Sequence, residues 1–122
     1  MAWQFDGDRP IYAQLVEHIQ YQIISGAYPP GEKLPSVRDL AAEAAVNPNT
    51  MQKALAELET DGMIFTHRTT GRFVTEDVEA IRQTRERLSR DIIQSFMQSM
   101  SRLGCTPQQT LAILTKYVEG LN

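Results

Sequence analysis

The sequence predicts a mainly α-helical protein with one small β-hairpin. Apolar residues recur every three or four positions in five separate stretches, which is the pattern of a helix face turned toward a core. Proline or a small polar residue precedes most of these stretches, and glycine follows several of them, as at helix ends. Between the third and fourth stretches, "MIFTHRTTGRFVT" places aromatic and β-branched residues on both sides of a polar tip that contains glycine. This segment is typical of two short strands joined by a loop.

The first predicted helix follows Pro10, which suits a first helical turn because the N–H that proline lacks would have no partner there. Its apolar face repeats every four residues, at Ile11, Leu15, Ile19 and Ile23. Gly26 stands where this helix would end, and "YPPGEKLPS" comes next. The prolines and glycine of that segment predict a rigid, extended connection.

The second and third predicted helices follow each other closely. Ser36, with Asp39 three residues later, forms a capping pattern that opens the second helix. The third opens at Asn47, a good N-cap residue, and Pro48 occupies its first position. This third helix, over about residues 48–61, has a buried stripe with helical spacing at Met51, Ala54, Leu55 and Leu58.

The C-terminal part of the chain predicts two more helices. A long helix is expected over residues 76–103, because its apolar residues fall on one stripe opposite a charged face. Thr106 begins the last helix, and Gln109 completes a T-x-x-Q capping box. We therefore expect an N-terminal domain over residues 1–75 and a two-helix region over residues 76–122.

Three helices followed by a hairpin, in this order, are typical of a winged helix-turn-helix DNA-binding domain. In that fold one helix braces a second, whose first residues enter the major groove of DNA. The predicted recognition helix covers about residues 48–61 and the predicted wing about residues 64–75. The wing would reach a neighbouring groove or phosphate.

The residue types at three places on this fold suit contact with DNA. Asparagine and glutamine amides pair with adenine, lysine binds guanine or phosphate, and arginine is a common phosphate ligand. The candidates are Ser36 and Arg38 at the opening of the second helix, Asn49, Thr50, Gln52 and Lys53 on the third, and Arg68, Gly71 and Arg72 on the wing. Capping is the alternative role of Ser36. For Arg38 the alternative is an ion pair with Asp39 or Glu43, and for the others it is an ordinary solvated surface.

The net charge of −3 does not itself support binding to DNA. Residues 1–75 contain six basic and nine acidic residues, and residues 76–122 contain six of each. The prediction therefore depends on where the basic residues lie, since affinity depends on local phosphate contacts. The acidic residues of the third helix lie toward its far end, which leaves a small positive face at its start. The acidic total favours one alternative function, a winged-helix module that binds another protein.

The segment "YPPGEKLPSVRDLAAEAAVNPNTMQKALAELETDGMIFTHRTTGRFV" resembles the N-terminal domain of GntR-family bacterial transcription regulators. The similarity includes a "G-x-x-LPS-x-R-x-LA" segment before the recognition helix and a glycine and valine in the wing. The "VNPNT" helix start and the short C-terminal part are most similar to the YtrA subfamily. This resemblance implies a cytoplasmic repressor that binds a palindromic operator on double-stranded DNA as a homodimer. It also leaves open an unidentified small-molecule effector.

The sequence departs from the family pattern at two places. Ala45 stands in the turn where relatives commonly have glycine. If that position has positive φ, alanine costs on the order of 1 kcal/mol there, and a different turn geometry would avoid the cost. Many relatives also have arginines at the start of the recognition helix, where this chain has Pro48, Asn49 and Gln52.

The two C-terminal helices are too short to bury both of their apolar stripes against each other, and exposed apolar patches of that size usually mark an interface. Pairing with the same helices of a second copy would cover them and would set two recognition helices on a two-fold axis. The residues predicted to form this dimer interface are Leu88, Ile92, Phe96 and Met100 in the long helix and Leu111, Leu114 and Val118 in the last helix.

The sequence offers no support for catalysis, a cofactor or a metal site. It contains no glycine-rich phosphate loop, no paired His/Cys metal spacing and no set of nucleophile, base and orienting residue. It also contains no apolar run of membrane-spanning length and no secretory signal. Cys105 is the single cysteine, so an internal disulfide is excluded. A redox role for Cys105 would require the thiol to be exposed near a helix N-terminus, and no resolving cysteine is present.

Overall fold

The computed structural model of the chain describes residues 3–121, which form five α-helices and one two-stranded antiparallel sheet. In chain order these elements are α1 (Ile11–Ile24), α2 (Val37–Ala44), α3 (Pro48–Thr60), β1 (Ile64–His67), β2 (Gly71–Val74), α4 (Val78–Arg102) and α5 (Pro107–Glu119). The predicted fold class is therefore confirmed. Within residues 3–121, no helix is both long and apolar enough to cross a membrane.

The core of the N-terminal part forms where α3 packs against α1 and α2. Each helix contributes an apolar stripe, and most side chains on those stripes are almost fully removed from solvent. Ile11, at the start of the stripe predicted for α1, is the exception and is 38% exposed, because it is the first residue of the helix and lies at the edge of the core. The largest of them are Leu15, Ile19 and Ile23 from α1, Leu40 from α2, and Met51, Leu55 and Leu58 from α3. Burial of side chains of this size is the main source of stability of the three-helix unit.

The turn between α2 and α3 fixes the direction in which α3 leaves the core. Ser36 caps α2 by accepting a hydrogen bond from the Asp39 backbone N–H at 3.1 Å. Asn47 caps α3 by accepting one from the Asn49 N–H at 2.7 Å. Between the helices, Ala45 adopts left-handed backbone angles, with φ 59° and ψ 46°. The departure from glycine at this position therefore leaves the left-handed turn in place.

Replacing Ala45 with glycine is expected to stabilise the protein by about 0.5–1 kcal/mol. The change removes a steric cost of about 1–2 kcal/mol at the left-handed position, and the greater freedom of glycine in the unfolded chain offsets about 0.4–1 kcal/mol of that gain. Urea denaturation followed by circular dichroism measures the difference. Ala42→Gly, at an exposed position inside α2, is the matched control and should lower stability by up to about 1 kcal/mol. Lower stability of Ala45→Gly would contradict the strain at this turn.

The hairpin pairs β1 with β2 in the register Ile64↔Val74, Phe65↔Phe73, Thr66↔Arg72 and His67↔Gly71. The free edge of β2 is covered by the extended connection between α1 and α2. Leu34 N–H donates to the Arg72 carbonyl at 2.8 Å, and Val74 N–H donates to the Glu32 carbonyl at 2.9 Å. The proline-rich connection is therefore part of the wing as well as a link between helices.

The first compact unit extends to Thr84 and so includes the first turns of α4, whereas the sequence placed a domain boundary after residue 75. Ile81 is buried, and the hydroxyl of Thr84 lies 3.6 Å from the sulfur of Met63. The burial of Ile81 and the contact of Thr84 with Met63 explain why the start of α4 belongs with the N-terminal unit.

The second compact unit begins at Arg85 and contains the rest of α4 together with α5. The capping box predicted for α5 is present: Thr106 and Gln109 exchange side chain to backbone hydrogen bonds of 3.1 and 2.9 Å. Within residues 85–121, Thr110 is the one buried residue, and its hydroxyl has no hydrogen-bond partner. Every apolar side chain within residues 85–121 is therefore exposed or half-buried, and most are exposed.

Candidate nucleic-acid interface

The outward face of α3 carries the polar side chains that the sequence assigned to DNA. Asn49, Gln52 and Lys53 are exposed, and Thr50 is half-buried at the edge of the same face. Spacings of three and four residues place these side chains in one strip along the helix, opposite the buried stripe that begins at Met51. The side-chain oxygen of Asn47 is engaged in capping, as predicted. The helix therefore presents amide and ammonium groups without bulky apolar side chains among them.

Lys53 has a contact that the sequence analysis did not anticipate. Its Nζ lies 4.1 Å from the centre of the Tyr12 ring, in the geometry of a cation–π pair. Tyr12 belongs to the first turn of α1, 41 positions earlier in the chain. The contact depends on the packing of α1 against α3, so no local sequence pattern could have predicted it.

The opening of α2 presents Ser36 and Arg38 at the surface. Ser36 performs the capping role that was its alternative assignment, although its O–H remains able to donate a hydrogen bond. Arg38 is exposed, and it forms none of the ion pairs found among residues 3–121. Glu43, one of the two acids proposed to neutralise it, instead accepts a hydrogen bond from the indole N–H of Trp3 at 3.3 Å. The guanidinium of Arg38 is therefore available to an external anion.

The tip of the wing places Arg68 in solvent and holds Gly71 in a backbone conformation that other residues rarely adopt, with φ +114°. A Cβ atom at Gly71 would also lie 3.1 Å from Cε of Lys33. A side chain at this position would thus be strained by the backbone and crowded by Lys33. Gly71 matters here for the shape of the wing and for the close approach of Lys33.

Arg72 is partly engaged inside the protein. Its Nε donates to Oε1 of Glu59 at 3.1 Å, and the hydroxyl of Thr66 donates to the same carboxylate oxygen. The hydrogen bond from Thr66, followed by the interaction with Arg72, lowers the pKa of Glu59 against the opposing effect of burial. From the sequence, Arg72 was predicted to contact DNA, and the acids at the far end of α3 had no predicted role. In the structure, Glu59 and Arg72 join the end of α3 to the wing.

A cleft of about 550 Å³ separates the start of α2 from the wing tip. Its walls are formed by the extended connection, the first residues of α2, the end of the wing loop and the start of β2. The lining residues are Lys33, Leu34, Pro35, Ser36, Val37, Asp39, Thr70, Gly71 and Arg72. Two cations, hydroxyl groups and a helix N-terminus face this cleft, and Asp39 is the opposing charge. Such groups suit a phosphate oxygen. Lys33 was not among the predicted contacts, although a basic residue just before the capping serine was a signal that could have identified it.

Comparison with known families and proteins agrees with this geometry. The sequence profile of the family described as "Bacterial regulatory proteins, gntR family" matches residues 11–74, from α1 to the end of the wing. The HTH-type transcriptional regulator YhcF of Bacillus subtilis is 36% identical over 117 residues, which cover 96% of this chain and 97% of that protein. The HTH-type transcriptional repressor YtrA of the same organism is 43% identical over 70 residues, covering 57% of this chain and 54% of YtrA.

Solved structures show the same architecture. A GntR family transcriptional regulator from Listeria monocytogenes superposes with a TM-score of 0.86 at 41% identity, covering 92% of this chain and 98% of that one. The AraR DNA-binding domain in complex with operator ORX1 superposes with a TM-score of 0.57 at 29% identity, covering 62% of this chain and 95% of that one. The family profile, the full-length similarity to YhcF and the winged-helix structure lead to one conclusion: the chain belongs to the GntR family of bacterial transcription regulators.

Proposed function

We propose that this protein is a sequence-specific DNA-binding transcription regulator that acts as a repressor in the cytoplasm. In this proposal α3 enters the major groove, and the wing contacts an adjacent part of the same DNA. The observation that carries the proposal is the strip of exposed polar side chains on α3, which contains Asn49, Gln52 and Lys53. Two relatives add support, since YtrA is named a repressor and the AraR domain was solved with an operator.

In this proposal some side chains of the surface contact base edges, and others contact the phosphates of the DNA backbone. Asn49 and Gln52 carry amides that can pair with the edge of adenine, and Lys53 can reach guanine or a phosphate. Arg38, Arg68 and the hydroxyl of Ser36 suit phosphate oxygens, because such contacts position the protein without requiring a particular base. Half-buried Thr50 borders the same strip and adds a hydroxyl.

We further propose that the second unit is the dimerisation region and that the operator is palindromic. The predicted interface residues of α4 and α5 are exposed or half-buried: Leu88, Ile92, Phe96, Met100, Leu111, Leu114 and Val118. Residues 85–121 bury no apolar side chain among themselves, so this unit lacks a core of its own. A second copy would supply the missing apolar partner, and a two-fold dimer requires two half-sites in inverted orientation.

We propose separately that the second unit could hold a small-molecule effector. The second unit has a cleft of about 370 Å³ lined by Gln94, Met97, Gln98, Ser101, Cys105 and Pro107. A small molecule that binds there could change how α4 and α5 pack together. Cys105 is half-buried in this cleft. Its redox role stays a prediction, tested by alkylating the thiol and measuring DNA affinity.

Replacing Arg38 or Lys53 with alanine is expected to weaken operator binding at least about tenfold. A charge-assisted hydrogen bond contributes about 1.5–3 kcal/mol, and a dimer loses the contact twice. Fluorescence anisotropy with a DNA fragment selected from a random library by the wild-type protein measures the change. Lys116→Ala removes an exposed cation from α5 and is the matched control, expected to bind as the wild type does. Unchanged affinity in both the Arg38 and Lys53 variants would refute the proposed surface.

A further inference from the structure

Tyr12 lies beneath the ammonium group of a proposed DNA contact. Its ring centre is 4.1 Å from Nζ of Lys53, well inside the range of about 6 Å for cation–π attraction. We propose that Tyr12 is a positioning residue that holds the Lys53 ammonium in place for DNA, so that the first turn of α1 forms part of the DNA-binding surface. This inference rests on the proposed function of α3.

The Tyr12 ring can restrict the lysine side chain because packing against the core fixes the ring in place. Tyr12 is half-buried and packs against the hydrophobic core, whereas Lys53 is exposed. A free lysine side chain samples many rotamers and loses that freedom when its ammonium is fixed at a ligand. When a rigid ring restricts the ammonium beforehand, less freedom is lost on binding DNA.

It also matters for DNA binding that Lys53 contacts an aromatic ring and not a carboxylate, because the ring attracts a cation without neutralising it. Arg72 is paired with the carboxylate of Glu59, and Arg9 is paired with that of Glu17. Lys53 forms no ion pair within residues 3–121, so no acidic side chain there competes with DNA for its ammonium. One side of the group faces the ring, while N–H donors remain on the other sides for a phosphate or a base.

The position of Lys53 on α3 explains how a fixed ammonium would help the helix bind DNA in one register. Lys53 follows Asn49 by four residues, so that the two side chains lie on the same face of the helix. A fixed ammonium beside an amide that reads a base favours one register of α3 in the groove. A mobile ammonium would accept several registers, because any nearby phosphate would satisfy it.

Two substitutions of Tyr12, each made alone and again together with Lys53→Met, test the inference. Affinity for the selected DNA fragment is measured by anisotropy, and thermal unfolding reports on folding. Tyr12→Leu should weaken binding about two- to fivefold for each protomer, as expected for an exposed cation–π pair, and therefore about five- to thirtyfold for the dimer. Tyr12→Phe keeps the ring and should bind as the wild type does. In the Lys53→Met background, Tyr12→Leu should cause no further loss.

A measurement on the unmodified protein does not depend on how the variants fold. Ring current from Tyr12 should shift the Hε resonances of Lys53 upfield in the NMR spectrum of the free protein, and the shift should remain when DNA is bound. Loss of the shift on binding would overturn the inference, as would tighter binding by Tyr12→Leu. An equal loss in both Lys53 backgrounds would assign Tyr12 a purely structural role, and a loss in Tyr12→Phe would assign the contact to its hydroxyl. Wild-type affinity of Lys53→Met would overturn this inference. The proposed interface would be refuted as well only if Arg38→Ala also bound with wild-type affinity.

Discussion

Leu114→Glu in α5 is expected to produce a monomer that binds operator DNA at least about a hundredfold more weakly than the wild type. Leu114 is 41% exposed and belongs to the proposed dimer interface. In a dimer the substitution would bury two carboxylates without partners, which strongly opposes association. A dimer holds its second recognition helix at high local concentration once the first has bound, and this avidity contributes about 10²–10⁴ in affinity.

Sedimentation velocity measures the oligomeric state, and anisotropy with the selected fragment measures the affinity. Ile92→Glu repeats the test in α4, where Ile92 is 59% exposed. Gln108→Glu adds the same charge to an exposed position of α5 outside the apolar stripe and should leave the dimer intact. If the Leu114 and Ile92 variants remain dimeric, the interface lies elsewhere. If they are monomeric yet bind with full affinity, paired half-sites are not needed.

The elements of this fold could be predicted from the sequence because local chemistry determines them. The capping residues Ser36, Asn47 and Thr106 each sit one residue before a helix begins, and the structure has helices where their patterns predicted them. The predicted long helix over residues 76–103 is observed as Val78–Arg102. Spacing of apolar residues also predicted the buried stripes, since one face of each N-terminal helix must turn toward the core.

The contacts that shape the candidate interface could not be predicted in this way. Tyr12 forms a cation–π pair with Lys53, Glu59 forms an ion pair with Arg72, and Lys33 approaches Gly71 closely. Each of these contacts joins residues from different parts of the fold. Such contacts depend on how the elements pack, and local patterns carry no information about that. The left-handed conformation of Ala45 is a related case, because the closure of the turn between α2 and α3 overrides the local preference of alanine.

Raising the salt concentration from about 50 to about 200 mM is expected to weaken operator binding about a thousandfold. Arg38, Lys53 and Arg68 are the exposed cations of the proposed surface, and a dimer presents each of them twice. Six phosphate contacts release enough counterions to give a log–log slope of about −5, which corresponds to roughly three decades over this range. If Lys33 contacts phosphate from its cleft, the slope becomes steeper.

The same titration separates the proposed function from a winged-helix module that binds another protein. With a net charge of −3 the chain has no general attraction for DNA, so a steep slope must come from this local cluster of cations. Lys53→Ala should make the slope about two units shallower in the dimer, whereas Lys116→Ala in α5 should leave it unchanged. DNA affinity that varies little with salt would mean that phosphate contacts are absent, and the acidic total would then favour a protein partner. The slope therefore tests whether a chain with more acidic than basic residues binds DNA through the position of a few cations.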